Sequence, residues 1–224
     1  MKAFILAAGE GRRLQPLSLK TPKPLLKVAG KSLIQYHIEA LVKADITELV
    51  INLSYLGEQI ERELTDGSKW GAAIRYSHED ELLETGGGIR NALPLLGDEP
   101  FAVVNGDIFT GYDYSSLPSA LPDGSLGHLV MVDNPAEHPQ GDYGLTEERI
   151  GDYSLLGFEN RLTYSGISLL RPELLQQRPP GWFPLREVLK PAIESRKLTG
   201  EHFGGLWTDV GTVDRLEDLR KSLH

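Results

Sequence analysis

The sequence predicts an α/β fold, a mixed and mostly parallel central sheet flanked by helices, and three observations carry that prediction. Short apolar runs of strand length recur, in MKAFILAAG at the start, at Leu49–Leu53 and at Phe101–Asn105. Between them lie stretches whose apolar residues fall at helical spacing. Glycine-rich segments stand where the strands give way. Alternation of this kind puts helices on both faces of a sheet and ligands at the carboxyl ends of its strands.

Taken in order, Leu33, Ile34, His37, Ile38, Leu41 and Val42 mark a core-facing helix, with Ser32 placed to cap it. Leu49–Leu53 reads as a buried strand. Leu56, Ile60 and Leu64 read as the next helix, closed by Asp66-Gly67. Ile74 and Tyr76 mark a strand, GGGIRNALPLLG a short helix with a glycine-rich start, and Phe101–Asn105 a strand ending in Gly106-Asp107.

In the second half, His128–Val132 is a strand, Tyr143–Leu145 and Tyr153–Phe158 are edge strands, and Leu162–Leu170 is a longer strand. Asp133–Asp142 is a polar loop with two prolines. A helix is expected near Pro184, a favourable first-turn residue, and Pro191 is expected to kink or end it. Glu201–Trp207 reads as the last strand, and Thr212 as the cap of a terminal helix carrying Leu216, Leu219 and Leu223 on one face. With no internal repeat or linker, residues 1–224 read as one domain.

Charge is distributed unevenly. The chain carries −9, but residues 1–31 hold seven Lys or Arg against one acid, Glu10, for a local +6 that leaves −15 on the remainder. The overall balance argues against nucleic acid and anionic membrane surfaces, and the basic surplus points to one anionic small molecule bound at one place. The absence of cysteine excludes disulfides, a thiolate nucleophile and Cys-based metal sites. The six histidines show no HxH or HExxH spacing. The opening apolar run is too short for a signal sequence or a membrane span, so the expected location is cytoplasmic.

The basic surplus sits in Leu6–Leu26, LAAGEGRRLQPLSLKTPKPLL, where Gly9 and Gly11 let backbone N–H groups approach phosphate oxygens and Arg12, Arg13, Lys20 and Lys23 supply charge. A dinucleotide-binding Gly-x-Gly-x-x-Gly fails at Leu14, and Pro16, Pro22 and Pro24 forbid a continuous helix behind it. Gly30-Lys31-Ser32 mimics the end of a Walker A motif, but Leu25 stands where its first glycine belongs.

What the loop does resemble is the signature of the sugar-1-phosphate nucleotidyltransferases, LAAG-x-G-x-R-L-x-P-L with a following KPL, here Leu6–Leu17 and Lys23–Leu25. The resemblance extends over nearly the whole chain, through Leu83-Glu84-Thr85-Gly86-Gly87, Asn105-Gly106-Asp107, Tyr143-Gly144, Ser165-Gly166 and Trp207-x-Asp209-Val210-Gly211-Thr212. It implies a Rossmann-like, GT-A-like nucleotidyltransferase fold, with a nucleotide-binding part at about 1–110 and a sugar-binding part at about 111–224. The short length, the ETGGG, DNP and GDY elements and the YSGIS strand are most similar to the members that transfer uridylyl from UTP to N-acetylmuramate 1-phosphate.

The resemblance also implies roles. Asp107 and Asp209 match the family's Mg²⁺ ligands, although each read alone also fits a turn or helix cap. Lys23 matches the lysine that contacts transferred and acceptor phosphates, and Arg13 the arginine on the β and γ phosphates; Arg12 falls at a variable position. Ala8, Gly9 and Gly11 would border the nucleotide, with its base read by a loop from Glu79 through Glu84 and Thr85 to Gly86. Relatives often carry glutamine at Glu79 and glycine at Glu84, and a carboxylate there could accept from uracil N3–H, although both glutamates also fit exposed loop charges. Asn105, Asp142, Gly144 and Ser165 would meet the sugar, with Asp209 beside its phosphate. The family's Glu-Lys-Pro element is replaced by Phe158-Glu159-Asn160-Arg161, which leaves Arg161 as a substitute cation. The expected assembly is a monomer. Asn52-x-Ser54 is a glycosylation sequon by letters only.

Overall fold

The computed structural model describes residues 1–146, 149–151 and 161–223. Strand β1 (Lys2–Leu6) leads into three single-turn 3-10 helices between Arg12 and Leu25, then the short pair β2 (Lys27–Val28) and β3 (Lys31–Ser32). Helix α1 (Leu33–Lys43), β4 (Glu48–Leu53), α2 (Gly57–Leu64), β5 (Ala73–His78), α3 (Glu84–Leu96) and β6 (Phe101–Asn105) follow in alternation. Next come β7 (Ile108–Thr110), β8 (Gly127–Val132), β9 (Tyr143–Thr146), β10 (Arg149–Gly151) and β11 (Arg161–Leu170). The chain closes with α4 (Glu173–Gln176), α5 (Arg186–Glu194), β12 (Leu198–His202), β13 (Trp207–Asp209) and α6 (Val213–Ser222).

One sheet runs in the order β5-β4-β1-β6-β11-β8-β12-β10-β9. The first four strands are mutually parallel, as the βα alternation requires, and β8 pairs parallel with β12. Strand β11 runs antiparallel to both β6 and β8 and joins the two halves. Consecutive residues of β1 point to opposite faces, so Ala3 and Ile5 pack against α1 and α2 while Phe4 packs with Ile89 and Leu93 of α3. A smaller third core holds Leu14, Leu26 and Val28 against Val210, Leu216 and Leu219, fastening the proline-rich opening loop to α6.

Several elements differ from the sequence-based expectation. Ser32 stands at the α1 cap position without a side-chain cap bond, whereas Thr212 Oγ1 does accept from the Arg215 N–H at 3.4 Å. Of the two outcomes expected at Pro191, a kink or an end, the end does not occur: α5 continues to Glu194, with Val188, Leu189, Ala192 and Ile193 buried on both sides of the proline to outweigh the lost backbone bond. The expected strand Glu201–Trp207 is two strands, since Gly204-Gly205 interrupts it and β13 pairs with β7 in a separate ladder. Helix α4 has no counterpart in the sequence reading. The expected strand Tyr153–Phe158 and the segment Phe158-Glu159-Asn160 lie outside the described residues. Among the described residues, no helix is long and apolar enough to cross a membrane.

Candidate active site

At the carboxyl end of β1 the chain turns through Gly11 at φ 62°, a left-handed conformation that favours glycine, and a Cβ there would sit 3.3 Å from the Ser18 Cβ. The Ser18 hydroxyl donates to the Gly11 carbonyl at 2.8 Å. Folding back on itself, the loop carries Lys23 inward, 7% exposed, while Arg12 points out and pairs with Glu10. Arg13 lies over the Gly211 turn, where a Cβ would approach its guanidinium to 3.1 Å. Gly9, Gly11, Arg13, Lys23, Asp107 and Gly211 border a cavity of about 250 Å³.

The two aspartates, distant in sequence, converge. Strand β13 pairs antiparallel with β7 so that Asp209 stands opposite Ile108, and the Val210 N–H donates to the Asp107 carbonyl at 3.0 Å. The Lys23 ammonium lies 2.5 Å from Asp107 Oδ2 and 3.6 Å from Asp209 Oδ1. Arg215 Nη1 donates to Asp209 Oδ2 at 2.8 Å and its Nε pairs with Glu137 at 2.8 Å. Thr212 caps α6, so Asp209 does not serve as that cap. Beneath β7 the buried His37 ring has its pKa lowered to about 4 by desolvation. As a neutral ring it donates from Nε2 to the Ile108 carbonyl (2.9 Å) and accepts at Nδ1 from the Tyr114 hydroxyl (2.8 Å), which fixes the strand next to Asp107.

Two convergent carboxylates form a corner of hard oxygens. Among the described residues, no group of three or more His, Asp or Glu gathers to hold a metal alone. That donor set fits Mg²⁺, which is commonly held by one or two carboxylates with water and substrate phosphates completing its shell.

A second cavity, of about 200 Å³, is bordered by Ala8, Gly9, Asn52, Glu79, Glu84 and Thr85. Asn52 and Glu79 form a buried chain of bonds here. The Ala7 N–H donates to Asn52 Oδ1 (2.7 Å), Asn52 Nδ2 to Glu79 Oε1 (2.7 Å) and the Leu83 N–H to Glu79 Oε2 (3.1 Å). Burial raises the Glu79 pKa, and these two donors oppose the shift. Glu79 is thus a buried fastening between the opening loop and the start of α3, not an exposed loop charge; Glu84 does remain exposed.

The expected base-reading loop also ends early. Glu84, Thr85 and Gly86 form the first turn of α3, with Glu84 at φ 62°. The glycines there are a packing requirement. A Cβ on Gly86 would strike Phe183 at 2.5 Å, one on Gly87 the Gly181 carbonyl oxygen at 2.2 Å, and one on Gly88 Glu79 Oε1 at 2.6 Å.

Asn105 borders this cavity and two more. A third, of about 370 Å³, takes Arg13, Asp107, Ser165, Trp207, Asp209 and Arg215. A fourth, of about 390 Å³, takes Asp142, Tyr143, Tyr164, Trp182 and Arg186 with Glu84 and Thr85. The sugar-side residues expected from sequence are therefore divided, Ser165 on the third cavity and Asp142 on the fourth. Both also serve the bulge in β11, where the register slips between Tyr164 and Ile167. Asp142 Oδ2 accepts from the Tyr164 N–H (2.8 Å), and Ser165 Oγ from the Ile167 N–H (3.1 Å). Gly144 is buried in β9 opposite Arg161, whose Nη2 donates to the Asp142 carbonyl at 2.9 Å.

Sequence reasoning missed Asn52, Glu137, Trp182, Arg186 and Arg215. Asn52 carried a usable signal, a lone amide at the carboxyl end of an otherwise apolar strand, level with the phosphate loop.

Residues 2–159 match the family described as Nucleotidyl transferase. The chain is 46% identical, over 98% of its length and 97% of the relative's, to the N-acetylmuramate alpha-1-phosphate uridylyltransferase of Neisseria meningitidis serogroup B. A protein of the same name from Caulobacter vibrioides is 33% identical over 93% of this chain and 91% of its own. The mannose-1-phosphate guanylyltransferase catalytic subunit beta of Danio rerio is 32% identical over 94% of this chain and 61% of its own. The crystal structure of HddC from Yersinia pseudotuberculosis complexed with GMP-PN superposes with a TM-score of 0.82 at 21% identity, covering 100% of this chain and 99% of that one, which shows a shared fold. A glycine-turned basic loop facing two convergent aspartates, on a sheet of this topology and with a family match over residues 2–159, leads to one assignment: the chain belongs to the nucleotidyl transferase family.

Proposed function

We propose that this protein transfers a uridylyl group from UTP to N-acetylmuramate 1-phosphate, giving the UDP-sugar and pyrophosphate, with Mg²⁺ as cofactor. The observation that carries the reading is the convergence of Lys23, Asp107 and Asp209 where the cavities meet. The name shared by the Neisseria and Caulobacter relatives supports the nucleotide and the acceptor. The reading includes a monomeric cytoplasmic enzyme in one continuous unit, which returns cell-wall sugar to nucleotide form in peptidoglycan recycling. The single sheet running through both halves supports that unity.

In the reaction, an acceptor phosphate oxygen attacks the α-phosphorus, the bond from that phosphorus to the α,β-bridging oxygen breaks, and pyrophosphate leaves with the electron pair. The nucleophile is already anionic, so no general base is required. The task is to bring two polyanions together, by positioning and fixed charge. Arg13 and the loop N–H groups near Gly9 and Gly11 bind the departing phosphates, and Lys23 neutralises charge between the reacting groups. When held by Asp107 and Asp209, Mg²⁺ supplies further charge neutralisation on the phosphates. Asn52 and Glu79 hold the loop and the α3 start in register around the base.

A catalytically silent nucleotide-sugar-binding subunit is the non-enzyme alternative, and the retention of Arg13, Lys23, Asp107 and Asp209 speaks against it. The test is a product panel. UTP, dTTP and GTP are each offered with N-acetylmuramate, glucose and mannose 1-phosphates, and the products are identified by mass. The expected principal product is UDP-N-acetylmuramate; GDP-mannose, UDP-glucose or dTDP-glucose as the principal product, or no product at all, overturns the reading.

A further inference from the structure

We propose that the fourth cavity is the subsite for a carboxylate-bearing substituent of the acceptor, with the Arg186 guanidinium as the group that reads the carboxylate and Trp182 as the wall for the sugar ring. The inference rests on the reading above, because N-acetylmuramate differs from N-acetylglucosamine by an ether-linked lactyl carboxylate. It adds the residues that tell the two apart.

The first support is charge. Arg186, the first residue of α5, is exposed in the cavity and makes no hydrogen bond or ion pair among the described residues. Around the aspartate pair, Lys23 is engaged with both carboxylates and Arg215 with Asp209 and Glu137, while Arg13 borders the phosphate-loop cavity and not the fourth. Of the two acids on the fourth cavity, Asp142 already accepts from the Tyr164 N–H and contacts His138 at 3.1 Å, and Glu84 is exposed and makes no ion pair with Arg186. Arg186 is thus a cation on this cavity wall with its hydrogen-bonding fork unengaged among the described residues. Its planar fork suits a carboxylate bidentately.

The second support is apolar. Trp182 is 63% exposed, more than any other large hydrophobic side chain among the described residues, and it lies on this same cavity with Tyr143 and Tyr164. An open aromatic face beside polar groups suits the C–H face of a sugar.

The third is placement. The segment carrying Trp182 is tied to the α3 start, by Phe183 N–H to the Leu83 carbonyl (3.2 Å) and Gly87 N–H to the Phe183 carbonyl (3.0 Å). Glu84 and Thr85, in that same turn, border both the second cavity and the fourth, and Asn105 connects them. A sugar in the fourth cavity therefore lies next to the nucleotide side.

The experiment compares wild type, Arg186→Ala, Arg186→Lys and Trp182→Leu, with UTP, Mg²⁺ and either N-acetylmuramate 1-phosphate or N-acetylglucosamine 1-phosphate. The expected result for Arg186→Ala is a 10- to 100-fold rise in KM for the carboxylate-bearing acceptor, the range of a lost charge-assisted hydrogen bond. The KM for UTP and the thermal midpoint stay as in wild type, and the preference between acceptors narrows. Arg186→Lys falls between the two. Trp182→Leu weakens both acceptors. An unchanged acceptor preference in Arg186→Ala, or equal losses on both acceptors, overturns the proposal while the proposed function stands; wild type inactive on N-acetylmuramate 1-phosphate overturns both.

Discussion

The Lys23 ammonium bridges toward Asp107 Oδ2 at 2.5 Å and Asp209 Oδ1 at 3.6 Å, so the basic opening loop, the β6–β7 turn and strand β13 meet at a single nitrogen atom. Asp107→Asn and Asp209→Asn are each expected to lower kcat by roughly 10²- to 10⁴-fold, on the order of losing a preorganised charge at the transition state. Far-ultraviolet circular dichroism should stay native, since both carboxylates are partly exposed. Rates within a few-fold of wild type would remove these residues from the chemistry.

Glycines in the two loops separate folding from binding. A Cβ at Gly9 meets nothing within 4 Å, whereas one at Gly87 meets a backbone carbonyl oxygen at 2.2 Å. Gly9→Ala is expected to keep wild-type stability and to raise the KM for UTP, because the added methyl projects into nucleotide space. Gly87→Ala is expected to lose about 2 kcal/mol or more in urea unfolding, as overpacking against backbone does. A Gly9→Ala enzyme with unchanged KM would move the nucleotide away from this turn.

Asn52 makes two bonds of a three-bond chain, both buried, accepting from the Ala7 N–H and donating to Glu79. Asn52→Ala strands the Ala7 N–H and one Glu79 oxygen, a cost of about 1–3 kcal/mol for each buried group left unsatisfied. The phosphate loop and the α3 start then lose their common anchor. Chemical denaturation and UTP titration should both register the change, and a fully stable variant with native UTP affinity would refute the fastening role.

The buried His37 gives a pH dependence with a defined sign. Its folded pKa, about 4, lies below the ordinary value of 6.5, so the unfolded chain binds the extra proton first. The stability it contributes is present above pH 6.5 and is lost as pH falls from 6.5 to about 4, in total about 3 kcal/mol. Between pH 7 and pH 5, urea midpoints of wild type should therefore fall more steeply than those of His37→Gln. Parallel slopes would contradict the assignment.

How much of this could be read from sequence follows from what is local and what is not. Strand and helix periodicity is local, so the sheet strands and helices through Phe101–Asn105 were legible to within a few residues, whereas the 3-10 turns and the β2–β3 pair of the opening loop, which have no such period, were not. Proline penalties are local too, yet at Pro191 burial of the flanking apolar residues overrides them, and that burial depends on partners far along the chain. The basic loop and both aspartates were legible because they sit in contiguous motifs. Arg215 and Arg186 were not, since a helical arginine looks the same in sequence whether it faces solvent or a cavity. The burial of Glu79 is not legible for the same reason: it depends on Asn52, in a neighbouring strand, and on the close approach that Gly88 permits.

The most direct test of the central claim is pyrophosphate release by the purified protein with UTP and N-acetylmuramate 1-phosphate, measured with Mg²⁺ and again with the metal chelated. The account predicts release that requires the acceptor, exceeds that with GTP and mannose 1-phosphate, and stops on chelation. Release that is absent with UTP and this acceptor, or undiminished by chelation, would contradict it.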